Sequence, residues 1–558
     1  MRKTLRLGLA QINCTVGDFE GNYKKINDYL QKAKSLGVGI ISFPELAVTG
    51  YPPEDLLLKA KFVEDNLDTL KKIMKSVNDI VAIVGFVDRV GPDIYNAASI
   101  MYKGEVNGTY RKMLLPNYGV FDEKRYFSSG SNPLVFRLGE ILLGVNICED
   151  MWHEAGPTKL QASSGASLII NINSSPYHAG KVKVREEIVR KQAKANNIFV
   201  SYTNLVGGQD ELVFDGQSMV VDSSGKVVSR AQAFREELLV VDLDLPAAKI
   251  KPSKNMVTIT HDFHTANISR VPKKETKPLE ATVEIYQALL LGLKDYVNKN
   301  GFKKVVVGLS GGIDSSLVAA LAVDALGKDN VIGVFMPTRY SSSQSETDAK
   351  RLASNLGIKF IVIPIEQIFK IYLMTLESQF SGLGKDITEE NLQARIRGNV
   401  LMALSNKFGW LVLTTGNKSE MSTGYTTLYG DMAGGFAVIK DAPKTLVYKL
   451  SKYRNSVSSV IPESVLAKEP TAELKPNQTD RDTLPPYETL DSILKAYVED
   501  DKGLNDIIST GFDKETVCKV LGLVDRSEYK RRQSPPGIKI TPKAFGKDRR
   551  MPITNKYK

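Results

Sequence analysis

The sequence predicts an α/β protein built in two parts, and three observations carry that expectation. A length of 558 residues is more than one hydrophobic core serves. Apolar runs that read as strands alternate with 3.6-period runs that read as helices, and they do so twice over. The alternation lapses between residues 246 and 278, where Lys, Pro and Thr take over with His261 and His264. The parts are therefore expected at residues 1–245 and 279–558, with 246–278 connecting them.

In the first part, a strand over 5–12 leads to a helix over 22–36 and an apolar strand over 38–45 that ends on Glu45. A helix over 63–77 and a strand over 80–86 follow, then short β segments at 97–102, 134–137 and 141–147, the last reaching Cys148. Strands at 168–172 and 198–202 flank a helix at 183–196, and β segments at 218–221 and 238–241 close a layered α/β part. In the second, a helix over 279–298 feeds the strand that starts at Val305. Strands at 331–335, 360–364 and 411–414 alternate with helices at 345–355 and 388–408, a doubly wound pattern. Residues 382–386 and 431–479 have weak patterns and are expected to be mobile loops.

Composition sets outer limits. Hydrophobic content of 42% and charged content of 25% are ordinary for a globular protein, and no apolar run reaches the length of a membrane span. The start of the chain does not read as a signal peptide, and Cys14, Cys148 and Cys518 are too few and scattered for a disulfide framework. A cytoplasmic protein is expected. The net charge of +11 is concentrated at the end, where residues 530–558 hold ten Lys or Arg and one acid. Such a tail is either a solvated extension or a contact for a polyphosphate ligand or a neighbouring subunit.

The stretch Val305-Val306-Val307-Gly308-Leu309-Ser310-Gly311-Gly312-Ile313-Asp314-Ser315-Ser316 has the most pointed chemistry. A buried strand runs into a Ser-Gly-Gly turn and then a helix from about Leu317. Adjacent glycines let the backbone approach a ligand, and free N–H groups at the helix start favour an anion. Asp314 can cap the helix or hold Mg²⁺ on a phosphate. No Lys follows the glycines, which excludes the ordinary NTPase loop. The stretch resembles the S-G-G-x-D-S loop of the ATP-pyrophosphatases, so Gly308 to Ser315 (Gly308, Leu309, Ser310, Gly311, Gly312, Ile313, Asp314 and Ser315) are its candidate ATP contacts.

In the first part, Glu45 follows Phe43-Pro44, Lys112 sits in Tyr110-Arg111-Lys112-Met113-Leu114, and Cys148 follows an apolar strand. Alone, a Cys after a strand is more often a small buried hydrophobe. Together, these three resemble the Glu-Lys-Cys triad of the nitrilase superfamily. Amide hydrolysis through an acyl-enzyme suits them: Cys148 as nucleophile, Glu45 as general base, and Lys112 as a fixed charge at the developing oxyanion. The longer strings at 115–123 and 206–216 narrow the resemblance to the glutaminase part of glutamine-dependent NAD synthetases. It implies a nitrilase-like α-β-β-α sandwich, with Tyr118, Ser175 and Lys181 contacting glutamine. His153 and His178 fit no catalytic pattern and read as structural.

The resemblance covers essentially the whole chain. For the second part it implies a Rossmann-like ATP-pyrophosphatase domain that amidates deamido-NAD. Asn391 and Arg395 lie four apart, on one helix face, with Arg397 on a neighbouring face. By the resemblance Asn391 contacts deamido-NAD, as do Glu420, Tyr425, Thr426, Thr427, Leu428 and Lys530. Thr415 and Thr471 contact ATP, and Asp314 and Glu420 hold Mg²⁺. The implied substrates are glutamine, ATP and deamido-NAD, handled by a homo-oligomer without nucleic acid or membrane.

Rival readings change the acceptor or the class. Asparagine synthetases of the glutamine type need an N-terminal Cys, whereas Arg2 follows Met1, and GMP synthetases carry a Cys/His glutaminase that is missing. Another glutamine-dependent ATP-pyrophosphatase with a different acceptor is the alternative kept open. A tRNA-modifying enzyme fits the basic tail, but thiolating members carry Cys pairs, and the second part has only Cys518. The intact triad argues against a nitrilase-like scaffold that has lost activity.

Overall fold

Leu5, Leu7 and Leu9 alternate along the first strand and are all fully buried in one core with Phe136, Leu143, Val145 and Ile170. That core lies between two sheets. The computed structural model describes residues 2–247, 255–263, 269–274, 276–476 and 478–557. His264, expected in the connecting segment, lies outside the described residues. The chain divides into two units, Met1–Gln209 with Val213–Leu279 and Asp210–Leu212 with Glu280–Lys558.

In the first unit, one sheet has the spatial order Glu237–Pro246, Arg2–Gln11, Ile40–Ser42, Val81–Val90, Asp93–Tyr102, Glu105–Arg111. The other runs Val227–Arg230, Met219–Val221, Phe199–Asn204, Leu168–Asn173, Ile141–Ile147, Val135–Leu138, Met256–Thr260. Helix Ala60–Ser76 packs against Phe19–Ser35 and against strand Val81–Val90. Helix Lys181–Asn196 sends Val189 and Ala193 into a second core with Leu142, Ile169 and Val200. The result is the expected α-β-β-α sandwich. Because its central strands are covered on both faces, they read as unbroken apolar runs. Strand Ile141–Ile147 shows this, with Leu143, Val145 and Ile147 facing one core and Leu142 the other.

Within the segment expected to connect the parts, Met256–Thr260 forms an edge strand parallel to Val135–Leu138. The hairpin strand Glu105–Arg111, which ends just before Lys112, has too little apolar alternation to be read from sequence.

The second unit holds a parallel sheet in the order Lys359–Val362, Val331–Phe335, Val305–Gly308, Leu411–Thr414, Phe436–Ala437. The chain steps outward from Val305–Gly308 and then returns to its other side. This leaves a switch point at the carboxyl ends of Val305–Gly308 and Leu411–Thr414, where such sheets bind ligands.

The expectation of a loop over 431–479 needs correction. Helices Lys444–Val457 and Glu463–Ala467 occupy much of it, started by Pro443 and Pro462. Their period was hidden because the buried face of the first includes Lys444 and Ser451 beside Val447 and Leu450. Helix Glu366–Leu376 was also missed, its apolar residues being largely exposed.

The basic tail is no solvated extension either. Gly537 bridges to Ala437, and Ile538, Ile540 and Phe545 are buried. Arg531, Lys539 and Arg549 are buried too, each beside an acid: Glu528 at 2.8 Å from Arg531 and 3.4 Å from Arg549, and Asp548 for Lys539.

Gly85, in strand Val81–Val90, shows how tightly Glu45 is seated. A methyl group there would collide with backbone atoms of Pro44 and Leu46, which cannot rotate away. Gly85→Ala should therefore lower stability by about 1–3 kcal/mol, read by denaturant unfolding.

Candidate functional site

Three strands of the first unit end where the triad begins. Glu45 lies just beyond Ile40–Ser42, Lys112 directly follows Glu105–Arg111, and Cys148 directly follows Ile141–Ile147. All three are buried. The Lys112 ammonium donates to Glu45 Oε1 at 2.7 Å and to Glu123 Oε1 at 2.9 Å. Asn96 donates to Glu45 Oε1 at 2.7 Å, and the Ser174 amide donates to its Oε2 at 2.9 Å. Tyr51 donates to Glu123 Oε1 at 3.2 Å. Both carboxylates are thus oriented by neutral donors as well as by the ammonium.

Charge balance follows from this geometry. Burial works against the Lys112 charge, but Glu123 and Glu45 outweigh it and hold the ammonium well above its usual pKa. Burial pushes Glu123 up to about 7, with Lys112 pulling the other way. The Cys148 thiol is pushed far up, first by burial and then by the Glu45 charge. It therefore keeps its proton at rest, and a thiol so placed becomes a nucleophile only if a neighbouring carboxylate takes that proton. Cys148 sits at φ +44°, a strained backbone for a non-glycine residue, at the start of a 3₁₀ turn over Cys148–Met151.

Among the glutamine candidates, Tyr118 is 55% exposed and donates to Glu149 Oε2 at 2.9 Å. Ser175 is buried next to Ser174, its amide bonded to Asn204 Oδ1 at 3.0 Å. Lys181 opens helix Lys181–Asn196, its ammonium 4.3 Å from the Trp152 ring centre. Sequence reasoning passed over Glu123 and Glu149. The second had a local signal, an acid directly after the candidate Cys148. Glu123 ends the 115–123 string that narrows the resemblance, but only the fold brings its carboxylate to Lys112.

In the second unit, one cavity at the switch point is lined by Gly308, Leu309, Ser310, Gly312, Ile313, Asp314 and Ser315. Thr415, Glu420, Tyr425, Thr426 and Thr471 line it as well. Gly311 supports the turn at φ +77°, where a side chain would strike Ser345. Ser310 Oγ accepts from the Gly312 amide at 3.2 Å and lies 3.1 Å from Ser315 Oγ, which shapes the loop before any ligand arrives. Asp314 accepts from Asn417 Nδ2 at 2.9 Å and pairs with Lys444, which lies 3.8 Å from Glu420. Burial, and then the Asp314 charge, push Glu420 up to about 8. Burial opposes the Lys444 charge, yet Asp314 and Glu420 together raise it.

Asn391 and Arg395 do share a face and hold one loop. Thr427 donates to Asn391 Oδ1 at 2.7 Å, and Arg395 Nε donates to the Leu428 carbonyl at 3.2 Å. Lys530 donates to the Gly424 and Thr426 carbonyls at 2.7 and 2.8 Å, so it holds the same loop from the other end. Arg397 points into the cavity instead, its guanidinium lowered to about 10 by burial. Lys444 was missed by sequence reasoning because it falls in the weakly patterned segment.

A buried Glu–Lys–Cys cluster on this sandwich defines a carbon-nitrogen hydrolase, and residues 6–249 match the Carbon-nitrogen hydrolase family model. Residues 285–534 match the NAD synthase model. The chain belongs to the glutamine-dependent NAD(+) synthetase family. It is 51% identical to the glutamine-dependent NAD(+) synthetase of Thermotoga maritima, over 100% of this chain and 99% of that one. It is 49% identical to that of Aquifex aeolicus, over 99% and 100%. A solved glutamine-dependent NAD+ synthetase from Acinetobacter baumannii, in complex with ADP, superposes with a TM-score of 0.76 at 43% identity, covering 99% of each chain.

Removing the Lys112 charge should leave two buried carboxylates facing each other. Lys112→Met is expected to lose about 3–5 kcal/mol of stability. Without the ammonium, the folded-state pKa of Glu123, already raised by burial, rises further above its unfolded value. The folded state then binds more protons, and stability falls as pH rises through those values. The loss should accordingly be smaller at pH 5 than at pH 8 by thermal unfolding. A loss independent of pH would show that the pair does not carry charge.

Proposed function

We propose that the chain makes NAD by amidating deamido-NAD, with ammonia released from glutamine and with ATP as the activating substrate. The observation that carries this is the presence in one chain of a dry Glu45–Lys112–Cys148 cluster and a Ser310–Ser315 loop at a sheet switch point. In the first unit, Glu45 takes the Cys148 proton as sulfur attacks the glutamine amide carbon. Lys112 and the amide after Cys148 stabilise the oxyanion, ammonia leaves with the proton from Glu45, and water then releases glutamate. Glu149, with Tyr118, suits the substrate ammonium, and Lys181 its carboxylate.

In the second unit, the carboxylate of deamido-NAD attacks the α-phosphate of ATP and displaces pyrophosphate. Ammonia then attacks the acyl-adenylate carbon and AMP leaves. Loop amides and Ser310 hold phosphate oxygens, while Asn391, Arg395 and Lys530 fix the 424–428 loop against the dinucleotide. Thr415 and Thr471 reach ATP. Asp314 and Glu420 suit Mg²⁺, since two carboxylates converge on one ammonium and Mg²⁺ is commonly held by one or two carboxylates plus phosphates. When bound, the ion would neutralise charge on the polyphosphate.

A homo-oligomer belongs to the same reading. Ile371, Met374, Leu383 and Ile387 are 62–72% exposed and offer apolar surface that a second copy could bury. No helix among the described residues is long and apolar enough to cross a membrane, and the cytoplasm remains our reading of the compartment.

The test supplies ATP, Mg²⁺ and deamido-NAD with either glutamine or ammonia, and follows NAD by mass. Cys148→Ala should abolish synthesis from glutamine and keep synthesis from ammonia. If a folded Cys148→Ala enzyme also fails with ammonia, the division of labour is wrong. Asp314→Ala should abolish both routes, a loss of roughly 100-fold or more for a group on the transferring phosphates. Retained ammonia-dependent synthesis would remove Asp314 from that role.

A further inference from the structure

Asp150 is fully buried, two residues past the nucleophile, and has no contact with the substrate chemistry described above. Its carboxylate is nonetheless the meeting point of four donors from two segments, residues 110–114 and Ile147. Oδ1 accepts from the backbone amides of Met113 at 3.1 Å and Leu114 at 2.8 Å. Oδ2 accepts from the Ile147 amide at 3.1 Å and from the Tyr110 hydroxyl at 2.8 Å. Tyr110 precedes Lys112 by two positions, and Met113 and Leu114 follow it. Ile147 and Asp150 itself stand on either side of Cys148. One carboxylate thus grips the chain on both sides of the ammonium and on both sides of the thiol.

We infer that Asp150 is a positioning residue for glutamine hydrolysis, fixing the Lys112 charge relative to Cys148 so that both meet the same tetrahedral carbon. This inference rests on the reading of Glu45, Lys112 and Cys148 given above.

Two features make the clamp more than a turn cap. Cys148 is held at φ +44°, and such backbone persists only where its surroundings over-determine it. The Ile147 contact fixes the residue just before that strain. Lys112 lies on the other segment, and its own backbone bonds, to Asn96 and Gly130, tie it only to its own side of the sandwich. The Asp150 contacts tie it to the strand that carries the nucleophile. Burial pushes the Asp150 carboxyl up to about 6, so at neutral pH it remains ionised and accepts from all four donors.

Misplacing a reacting group by about 1 Å costs about 100-fold in rate. Asp150→Asn keeps the shape, but one of its two ends must present N–H groups to a donor. In the full-length enzyme it should lower kcat for glutamate release about 100-fold and change KM for glutamine by less than about threefold. Denaturant unfolding of the full-length variant counts the folded glutaminase sites, and ammonia-dependent NAD synthesis should stay at the parental rate. A merely structural role would instead lower the number of sites and leave kcat per site unchanged, and that result overturns the inference.

If Asp150→Asn does not fold, Tyr110→Phe decides. Losing one of four donors should lower kcat about tenfold at unchanged KM, and a parental kcat overturns the clamp. Cys148→Ala is run alongside. Glutamine turnover surviving in Cys148→Ala would defeat the underlying site reading, whereas its loss there with a parental Asp150→Asn would defeat the clamp alone.

Discussion

An ammonium with no access to water has to be answered by carboxylates, and the answer at Lys112 organises the first unit. Its charge is met by Glu45 on one side and Glu123 on the other. Each carboxylate has further lone pairs that must find donors away from water. Asn96, Ser174 and Tyr51 supply them, and those residues come from different strands and loops. The cluster therefore requires both sheets in register before its charges are satisfied. Removing one partner leaves an uncompensated buried charge, which is far more damaging than the net worth of the pair. The retained proton on Cys148 belongs to the same balance, because a thiolate at rest would add a third negative charge to one ammonium.

The second unit meets a similar need in the open. Asp314 and Glu420 are brought together at a cavity and held by Lys444. This cavity lies at the sheet edge, where loops leave the strand ends and where sheets of this kind bind ligands. Its donors are backbone amides and hydroxyls, which bind anions without adding fixed charge. Arg397 lines the cavity and adds one cation to its wall, with its pKa lowered to about 10 by burial. One unit thus buries its charged cluster, while the other leaves an open cavity at its sheet edge.

Much of this was legible because function sits at strand ends. The apolar runs that stop at Glu45, Cys148 and Gly308 announce buried strands, and a carboxylate, a thiol or a Ser-Gly-Gly turn at such an end is already exceptional. Legibility failed where a residue acts through space. Glu123 lies eleven positions from Lys112, at the end of a string that carried a resemblance but no role for it, and only folding shows its carboxylate on the ammonium. Lys444 was hidden because a Lys on a buried helix face breaks the pattern by which helices are recognised. The tail misled for the related reason that Lys and Arg read as solvated. Each buried cation there has an acidic partner, and Glu528 serves both Arg531 and Arg549.

The backbone at Cys148 joins these threads. Strand alternation would turn Cys148 to the face opposite Ile147, yet its side chain is buried with Ile147 in the core between the sheets. A left-handed residue at the strand end breaks that alternation, yet an isolated turn would not keep a β-carbon in such a conformation. Here the strand before it is locked between two cores, and the 3₁₀ turn after it is closed by the Asp150 bond to Ile147. The fully buried sandwich is thus the condition under which a strained cysteine, a shielded ammonium and two carboxylates can coexist, because no looser scaffold would hold all of them against the conformations each prefers alone.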